Sequence, residues 1–362
     1  DGTDVVRKEM YNFEDKGGRN IALRPEQTAS IVRSYAEHRP SLPWKVWYAG
    51  PNFRYERAQK GRFRQFDQVG VEALGTDDPY LDVEVIAIAW RFYEALGLKQ
   101  VNLLLNSVGT TQDRTRYVEA LREYLEKRKD DLSTETQETL TSNPLRVLDS
   151  KRAEDIEVIS EAPSILEHLS AEANSHFNKV QEGLQKLKIP YAVTPNLVRG
   201  LDYYVQTTFE FTTKSIDAAQ DAIGGGGRYD GLAAEMGAPE TPGVGFALGL
   251  DRTLMACEAE KTFIGSEQLL QIYVVDTTGG ENSLVITDEL RQKGFKVDRS
   301  FGDRSMKAQM KAADKSGAKV ALIIGEDEVQ KGVVTIRDLR GEEGQEEIAS
   351  DSIIANLEKR LG

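Results

Sequence analysis

The chain has 362 residues, 40% hydrophobic and 29% charged, with a formal net charge of -13. That length predicts two or three domains, and the acidic total argues against nucleic-acid binding by the whole surface while leaving a local basic site open. A single cysteine, Cys257, excludes an internal disulfide framework and predicts a reducing, cytoplasmic setting; three scattered histidines argue against a protein-held metal, and no apolar run nears the ~20 residues of a membrane helix.

The opening "RKEMYNFEDKGGRNIALRPEQTAS" predicts a hairpin turning at Asp15-Lys16-Gly17-Gly18, then a helix capped by Thr28 and carrying Ile31, Val32 and Tyr35. "WKVWYAGPNFRYE" is strand-like, and "RFRQFDQVGVEALG" alternates as a second strand, so the two should pair antiparallel across a basic loop. "DVEVIAIAWRFYEALG" has helical period with Gly97 as its stop, and "VNLLLNSVG" reads as a buried strand. From about 111 to 190 the pattern is helical and polar, which predicts an insertion into one antiparallel β domain. "NLVRGLDYYVQTTFEFTT" restores strand chemistry, with Val205, Thr207, Phe209 and Phe211 on one face. "IGGGGRYDGL" and "TPGVGFALGLDRTLMACEAE" read as a glycine-rich return into a helix containing Arg252. A catalytic domain over 1-258 would then meet a linker at 259-268. Beyond it "LQIYVV", "FKVDRS" and "KVALIIG" alternate with helices ending at Gly294 and Gly317, predicting an α/β domain over 269-362.

Arg54, Arg57, Lys60, Arg62 and Arg64 crowd one loop, interleaved with Phe53, Tyr55, Phe63 and Phe66. Charge with stacking surface suits a polyphosphate or a nucleic-acid backbone, although a charge run alone is usually a solvated face. Four consecutive glycines let a backbone pass close to a ligand, but neither G-x-G-x-x-G nor G-K-[ST] is present, which disfavours both common nucleotide folds. An interior arginine such as Arg252 most often forms an ion pair, but it could equally reach a phosphate. Adjacent aromatics such as Tyr203 and Tyr204 are most often one core and one surface residue.

In order, "ALRPEQT", "GPNFRYERAQKGRFRQFDQVGVE", "LVRGLDYY", "GGGGRYDGL" and "TPGVGFALGLDR" resemble the signatures of the histidyl-tRNA synthetase family, and "GDRSMKAQMKAADKSGAKVALIIGEDE" resembles its anticodon-binding domain. The resemblance implies an α+β class II synthetase catalytic domain, an antiparallel sheet flanked by helices with a helical insertion, followed by a C-terminal α/β anticodon-binding domain. It implies histidyl-adenylate formation from histidine and ATP with Mg2+, then transfer to tRNA(His), by a cytoplasmic homodimer. By resemblance Arg54, Arg199 and Arg252 are catalytic. Arg54, Glu56, Arg62, Phe66 and Arg252 bind ATP, and Arg62 with the loop cations could instead meet the acceptor end of tRNA. Glu26, Thr28, Gln68, Glu72, Arg199, Tyr204 and Tyr229 surround histidine, with Glu72 and Tyr204 reading the imidazole nitrogens and Gly70 leaving room for the substrate. No side chain is a metal ligand.

Gln27 and Asp67 depart from the family pattern, a glycine and a histidine being usual there; alternation turns both away from the pocket. The family's first motif, a dimer-interface helix and strand, would precede Asp1. Lys307 and Arg304 are candidate RNA contacts, an exposed helix face being the alternative. Rival readings are the non-catalytic paralogue that regulates ATP phosphoribosyltransferase, a synthetase-like sensor domain of a stress kinase, and the prolyl or threonyl enzymes. "RGLDYY" and the full C-terminal domain disfavour the first, intact Arg54, Arg199 and Arg252 the second, and "RGLDYY" with the lack of zinc-ligand clusters the third.

Overall fold

The computed structural model describes residues 9–197, 203–216, 221–262, 270–302, 304–341 and 344–361. The chain divides into two compact units, Asp1–Phe263 and Ile264–Gly362.

The first unit begins with the expected hairpin, β1 (Asn12–Glu14) and β2 (Asn20–Ala22), whose turn is held by the Asp15 carboxylate accepting from the Gly17 and Arg19 amides. Helix α1 (Thr28–His38) starts one residue differently from expectation. Gln27 occupies the cap position without a side-chain bond, the Glu26 carboxylate accepts from the Ala29 amide at 2.9 Å, and Thr28 is already helical. Its hydroxyl is thereby released for the site described below.

The strands β3 (Trp44–Phe53) and β4 (Gln65–Leu74) pair antiparallel throughout, as the alternation predicted. Helix α2 (Pro79–Ala95) is capped by the Asp78 side chain and stops at Gly97, whose φ of 77° suits only glycine well. Strand β5 (Val101–Ser107) leads into α3 (Thr111–Lys127), α4 (Thr134–Ser142), α5 (Ala153–Ser160) and α6 (Ala171–Lys186). The chain returns through β6 (Ala192–Val193), β7 (Val205–Thr213), β8 (Ala222–Arg228), the short α7 (Leu232–Glu235), β9 (Gly243–Gly249) and α8 (Leu250–Glu260). The seven strands lie in the order β3-β4-β9-β8-β7-β5-β6, antiparallel except for the β5–β6 pair.

Three expectations change here. The glycine quartet is a central strand rather than a turn: a methyl on Gly226 would overlap the Gly245 carbonyl of β9, so close β8–β9 approach requires glycine. The stretch "GVGFALG" is β9, and the helix carrying Arg252 begins only at Leu250. The face expected for β7 is broken by a register shift between Val205 and Thr208, with Gln206 at a φ of 51°.

One sheet face forms the main core. Val69, Val71 and Ala73 of β4, Phe209 and Phe211 of β7, and Phe246 and Leu248 of β9 pack under Ile86, Ala89 and Tyr93 of α2. Phe177, Val180 and Leu184 of α6 join that core, whereas Tyr117, Leu121, Leu125, Leu140 and Val158 of α3–α5 form a separate one. The helical stretch expected as one insertion therefore has two allegiances, with α6 serving the sheet.

The second unit contains β10 (Ile272–Asp276), α9 (Glu281–Gln292), β11 (Val297–Arg299), α10 (Met306–Lys315), β12 (Val320–Ile324), α11 (Glu326–Lys331), β13 (Val333–Asp338), β14 (Gln345–Ala349) and α12 (Ile353–Leu361). Its sheet order is β11-β10-β12-β13-β14; the first three strands are parallel and the last two pair antiparallel. Among the described residues no helix is long and apolar enough to cross a membrane.

Candidate active site

Strand alternation sends Phe66, Gln68 and Glu72 of β4 to the sheet face opposite the main core. A cavity of about 590 Å³ opens on that face. Its walls come from β4, β7, β8, β9 and α8, from the loop between β3 and β4, and from the residues just before α1.

Cations gather at one end. The Arg54 Nε donates to the Pro25 carbonyl at 2.9 Å, and its guanidinium carbon sits 5.2 Å from the centroid of the Phe66 ring. Glu56 makes an ion pair with Arg62 and lies 3.9 Å from Arg54. Arg252, in the first turn of α8, donates from Nε to the Gly61 carbonyl and from Nη1 to the Ala222 carbonyl, both at 2.7 Å. Burial, followed by repulsion from Arg62 and Arg54, pushes its pKa below the usual arginine range, with Glu210 and Asp221 acting the other way. Three guanidinium groups held together in a recess disfavour one another, and an anion placed among them would relieve the repulsion.

The other end is a box of tyrosines around carboxylates. Glu72, 1% exposed, accepts at Oε1 from Thr28 at 2.6 Å and from Tyr48 at 3.4 Å, and at Oε2 from the Tyr229 hydroxyl. Glu72 itself is not on the cavity wall, whereas Thr28, Tyr48 and Tyr229, which bond it, are. Glu26 and Tyr204 line the cavity; burial pushes the Glu26 pKa up, and its Oε2 is buried with no hydrogen-bond partner. Gln68 accepts from the Asn52 amide at 2.7 Å, which leaves its own amide nitrogen as a donor to the cavity. Tyr203 and Tyr204 both face the cavity with ring centroids 4.9 Å apart, so they are not one core and one surface residue: the strand starts only at Val205.

Gly70 has a different role from the one expected. It pairs directly with Tyr48, and a methyl there would overlap the Tyr48 ring, so the space belongs to that tyrosine. Gln27 and Asp67 are absent from the cavity wall; alternation along β4 accounts for Asp67, whereas Gln27 lies in no strand but at the cap of α1, where it donates to the Gly50 carbonyl. Arg199 and Asp202 lie outside the described residues. No group of three or more His, Cys, Asp or Glu among the described residues could hold a metal ion, although Glu210 and Asp221 face the cavity near Arg252.

Several lining residues escaped sequence reasoning: Tyr48 from β3, Glu210 from β7, and Arg146 and Lys151 from the helical insertion. The Tyr48–Gly70 pairing had a usable signal, an aromatic placed opposite a mid-strand glycine. Behind the site lies a further group, centred on the fully buried side chains of Arg228 and Asp82. Arg228 at the end of β8 donates to Asp82 of α2, to Asp230 and to the Thr76 and Asp78 carbonyls, while His176 of α6 bonds the second oxygen of Asp82 at 2.8 Å.

Burial pushes the Glu72 pKa up to about 8, outweighing the hydroxyl bonds from Thr28 and Tyr229, and the charge of Glu26 adds to the rise. The folded value lies above the ordinary 4.5. This group's contribution is therefore fully present below about pH 4.5 and is lost as pH rises through about 8. Glu72→Gln, neutral throughout, is expected to flatten the decline in melting temperature between about pH 4.5 and pH 8; an unchanged slope would contradict the assignment.

An antiparallel sheet bearing an arginine-lined recess, followed by an α/β unit with a mixed sheet, is the organisation of a class II aminoacyl-tRNA synthetase: catalytic domain, then anticodon-binding domain. The family profile "Histidyl-tRNA synthetase" matches residues 1–253, and "Anticodon binding domain" matches 271–360. The chain belongs to the histidyl-tRNA synthetase family. It is 48% identical to a histidine–tRNA ligase of Corynebacterium kroppenstedtii, across 100% of this chain and 85% of that protein, and 45% identical to one of a Geobacillus species, across 100% and 87%. The crystal structure of apo histidyl-tRNA synthetase from S. aureus superposes with a TM-score of 0.79 at 37% identity, covering 99% of this chain and 88% of that one. A Bacillus halodurans structure described as an ATP phosphoribosyltransferase regulatory subunit/histidyl-tRNA synthetase shares the fold at TM-score 0.60 and 22% identity, covering 88% and 83%.

Proposed function

We propose that the chain is a histidine–tRNA ligase, which forms histidyl-adenylate from histidine and ATP and transfers the histidyl group to the 3′ end of tRNA(His). The observation that carries this reading is the pairing, in one cavity, of a guanidinium cluster with a wall of tyrosines around Glu26, three residues of that wall (Thr28, Tyr48 and Tyr229) bonding the buried Glu72. In the first step an oxygen of the histidine carboxylate attacks the α-phosphorus of ATP, and the bond to pyrophosphate breaks. The substrate carboxylate is already the nucleophile, so no general base is needed. What the reaction needs is cations that offset anion meeting anion and hold the oxygens in line. Arg54 serves the α-phosphate and Arg252 the terminal phosphates, with Arg199 a third cation at the reacting carboxylate. Phe66 offers its ring to adenine, with Glu56 at the adenine edge and Arg62 beside the phosphates.

Glu26, with an unpaired buried oxygen, takes the α-ammonium group together with Thr28, Gln68 and Tyr229. Glu72 and the Tyr204 hydroxyl read the two imidazole nitrogens in this reading. A pocket that pairs both should reject analogues lacking them by ~10⁴ or more. Magnesium would accompany the nucleotide in this reading: Glu210 and Asp221, which the sequence did not suggest as ligands, would offer the hard oxygens it favours, and the ion would neutralise phosphate charge. Cytoplasmic location belongs to the same reading. So does assembly as a homodimer, with support from β3, an edge strand whose Trp47 is 73% exposed. Incubation with tRNA(His), histidine and ATP should yield charged tRNA and one AMP per charge. Failure to charge this tRNA, alongside tight binding to ATP phosphoribosyltransferase, would favour the regulatory paralogue.

A further inference from the structure

Strand β8 ends on Arg228, and the next two residues are Tyr229 and Asp230, so one residue of the histidine pocket stands between two charged ones. Alternation sends Arg228 to the α2 side of the sheet, where it meets Asp82, and Tyr229 to the cavity side. Tyr229 has little freedom there. Its amide donates to the Gly243 carbonyl at 2.7 Å, its hydroxyl donates to Glu72, and a methyl on Gly243 would overlap its ring. Charges fix the backbone on either side of it. The Arg228 guanidinium donates to Asp82 and to the Thr76 and Asp78 carbonyls, while Asp230 accepts from Arg228 at 3.2 Å and from the Gly243 amide at 3.3 Å.

Asp82 is held in turn from helix α6, where the His176 Nε2 lies 2.8 Å from its Oδ2. Burial pushes the Asp82 pKa up, but the bond from His176 and the charge of Arg228 outweigh it and hold the carboxyl below its ordinary range. A carboxylate has no proton to give, so Nε2 carries the hydrogen and donates it. The seam between α6 and α2 is tight as well: Gly183, two turns on from His176 along the same face, lies so near Val83 that a methyl there would overlap it. His176 does not line the cavity, and its side chain is only 11% exposed. A buried ion pair is by itself ordinary scaffolding and weak evidence of anything more. Here the line of contacts from His176 through Asp82 and Arg228 ends on a pocket residue and, through its hydroxyl, on Glu72.

We propose that His176 is a positioning residue for histidine recognition: through Asp82 and Arg228 it sets the place of Tyr229, and so of Glu72, and ties helix α6 to the imidazole pocket. This rests on the ligase reading above. The test measures KM for histidine and KM for ATP in pyrophosphate exchange, together with melting temperature, for the whole protein and its His176→Phe and His176→Gln variants. The first keeps a ring and loses the donor; in the second an amide nitrogen can donate from nearly the same place. His176→Phe is expected to raise KM for histidine about tenfold, the scale of coupling carried through a packed network, with KM for ATP unchanged. His176→Gln should bring KM for histidine back to within about threefold of the unaltered protein. Should His176→Phe not fold, His176→Asn, whose amide stops short of Asp82, takes its place with the same expected rise. A fall in melting temperature with both KM values unchanged would overturn the proposal, since the network would then be scaffolding alone. So would an equal rise in both KM values, or a His176→Gln variant no better than His176→Phe. If the unaltered protein gave no exchange at all, the ligase reading itself would fall, and this proposal with it.

Discussion

Arg54→Ala is expected to lower the rate of histidine-dependent adenylate formation about a thousandfold, the scale seen when a preorganised cation facing developing phosphate charge is removed. The side chain is oriented before any substrate arrives, by the Pro25 carbonyl on one edge and the Phe66 ring near its face. Little of the fold depends on it, so melting temperature should stay within a few degrees. Arg54→Lys should recover only a small part of the rate, because an ammonium group cannot reproduce the flat two-pronged contact with phosphate oxygens. A variant that keeps more than a tenth of the rate would remove Arg54 from the role assigned to it.

The second large effect concerns stability. Arg228→Leu should destabilise the first unit by about 3–5 kcal/mol, the usual consequence of leaving one member of a buried ion pair alone. That corresponds to a fall in melting temperature of about 10 °C for a unit of this size. Asp82 is held below the ordinary carboxylate range although burial, the largest influence, acts upwards; the bond from His176 and the charge of Arg228 together outweigh it. Losing Arg228 leaves a fully buried carboxylate with His176 alone. The double variant Arg228→Leu/Asp82→Leu removes both charges and should regain part of the loss, since no uncompensated ion then remains. A double variant no more stable than Arg228→Leu would mean that the network acts through packing rather than charge. Histidine binding should weaken too, because the next residue, Tyr229, holds Glu72.

Much of the site was legible because it lies on a strand. Phe66, Gln68 and Glu72 share a face through simple alternation, and the same alternation turns Asp67 away and sends Val69 and Val71 to the core. The loop cations stood out from an acidic chain by composition alone. What could not be seen depended on glycine and on distance along the chain. Gly224 to Gly227 carry no side chains to show a period, so a central strand resembled a turn. Gly70 resembled open space for a ligand until its partner across the strand proved to be Tyr48. Arg228 and Asp82 are 146 residues apart, and Arg146 and Lys151 reach the cavity from a segment with a core of its own. No local pattern predicts such meetings. The position of Thr28 was missed by one residue, a small error with a chemical consequence: as a cap its hydroxyl would serve the helix, whereas as the first helical residue it serves Glu72.

The central claim is that one cavity joins a phosphate-binding arginine cluster to a pocket shaped for histidine. Exchange of labelled pyrophosphate into ATP, run separately with each of the twenty standard amino acids, tests both halves at once and needs no tRNA. Exchange with histidine alone, lost in Glu72→Ala and in Arg54→Ala, is the predicted result. Exchange driven by a different amino acid, or by none, would contradict the account.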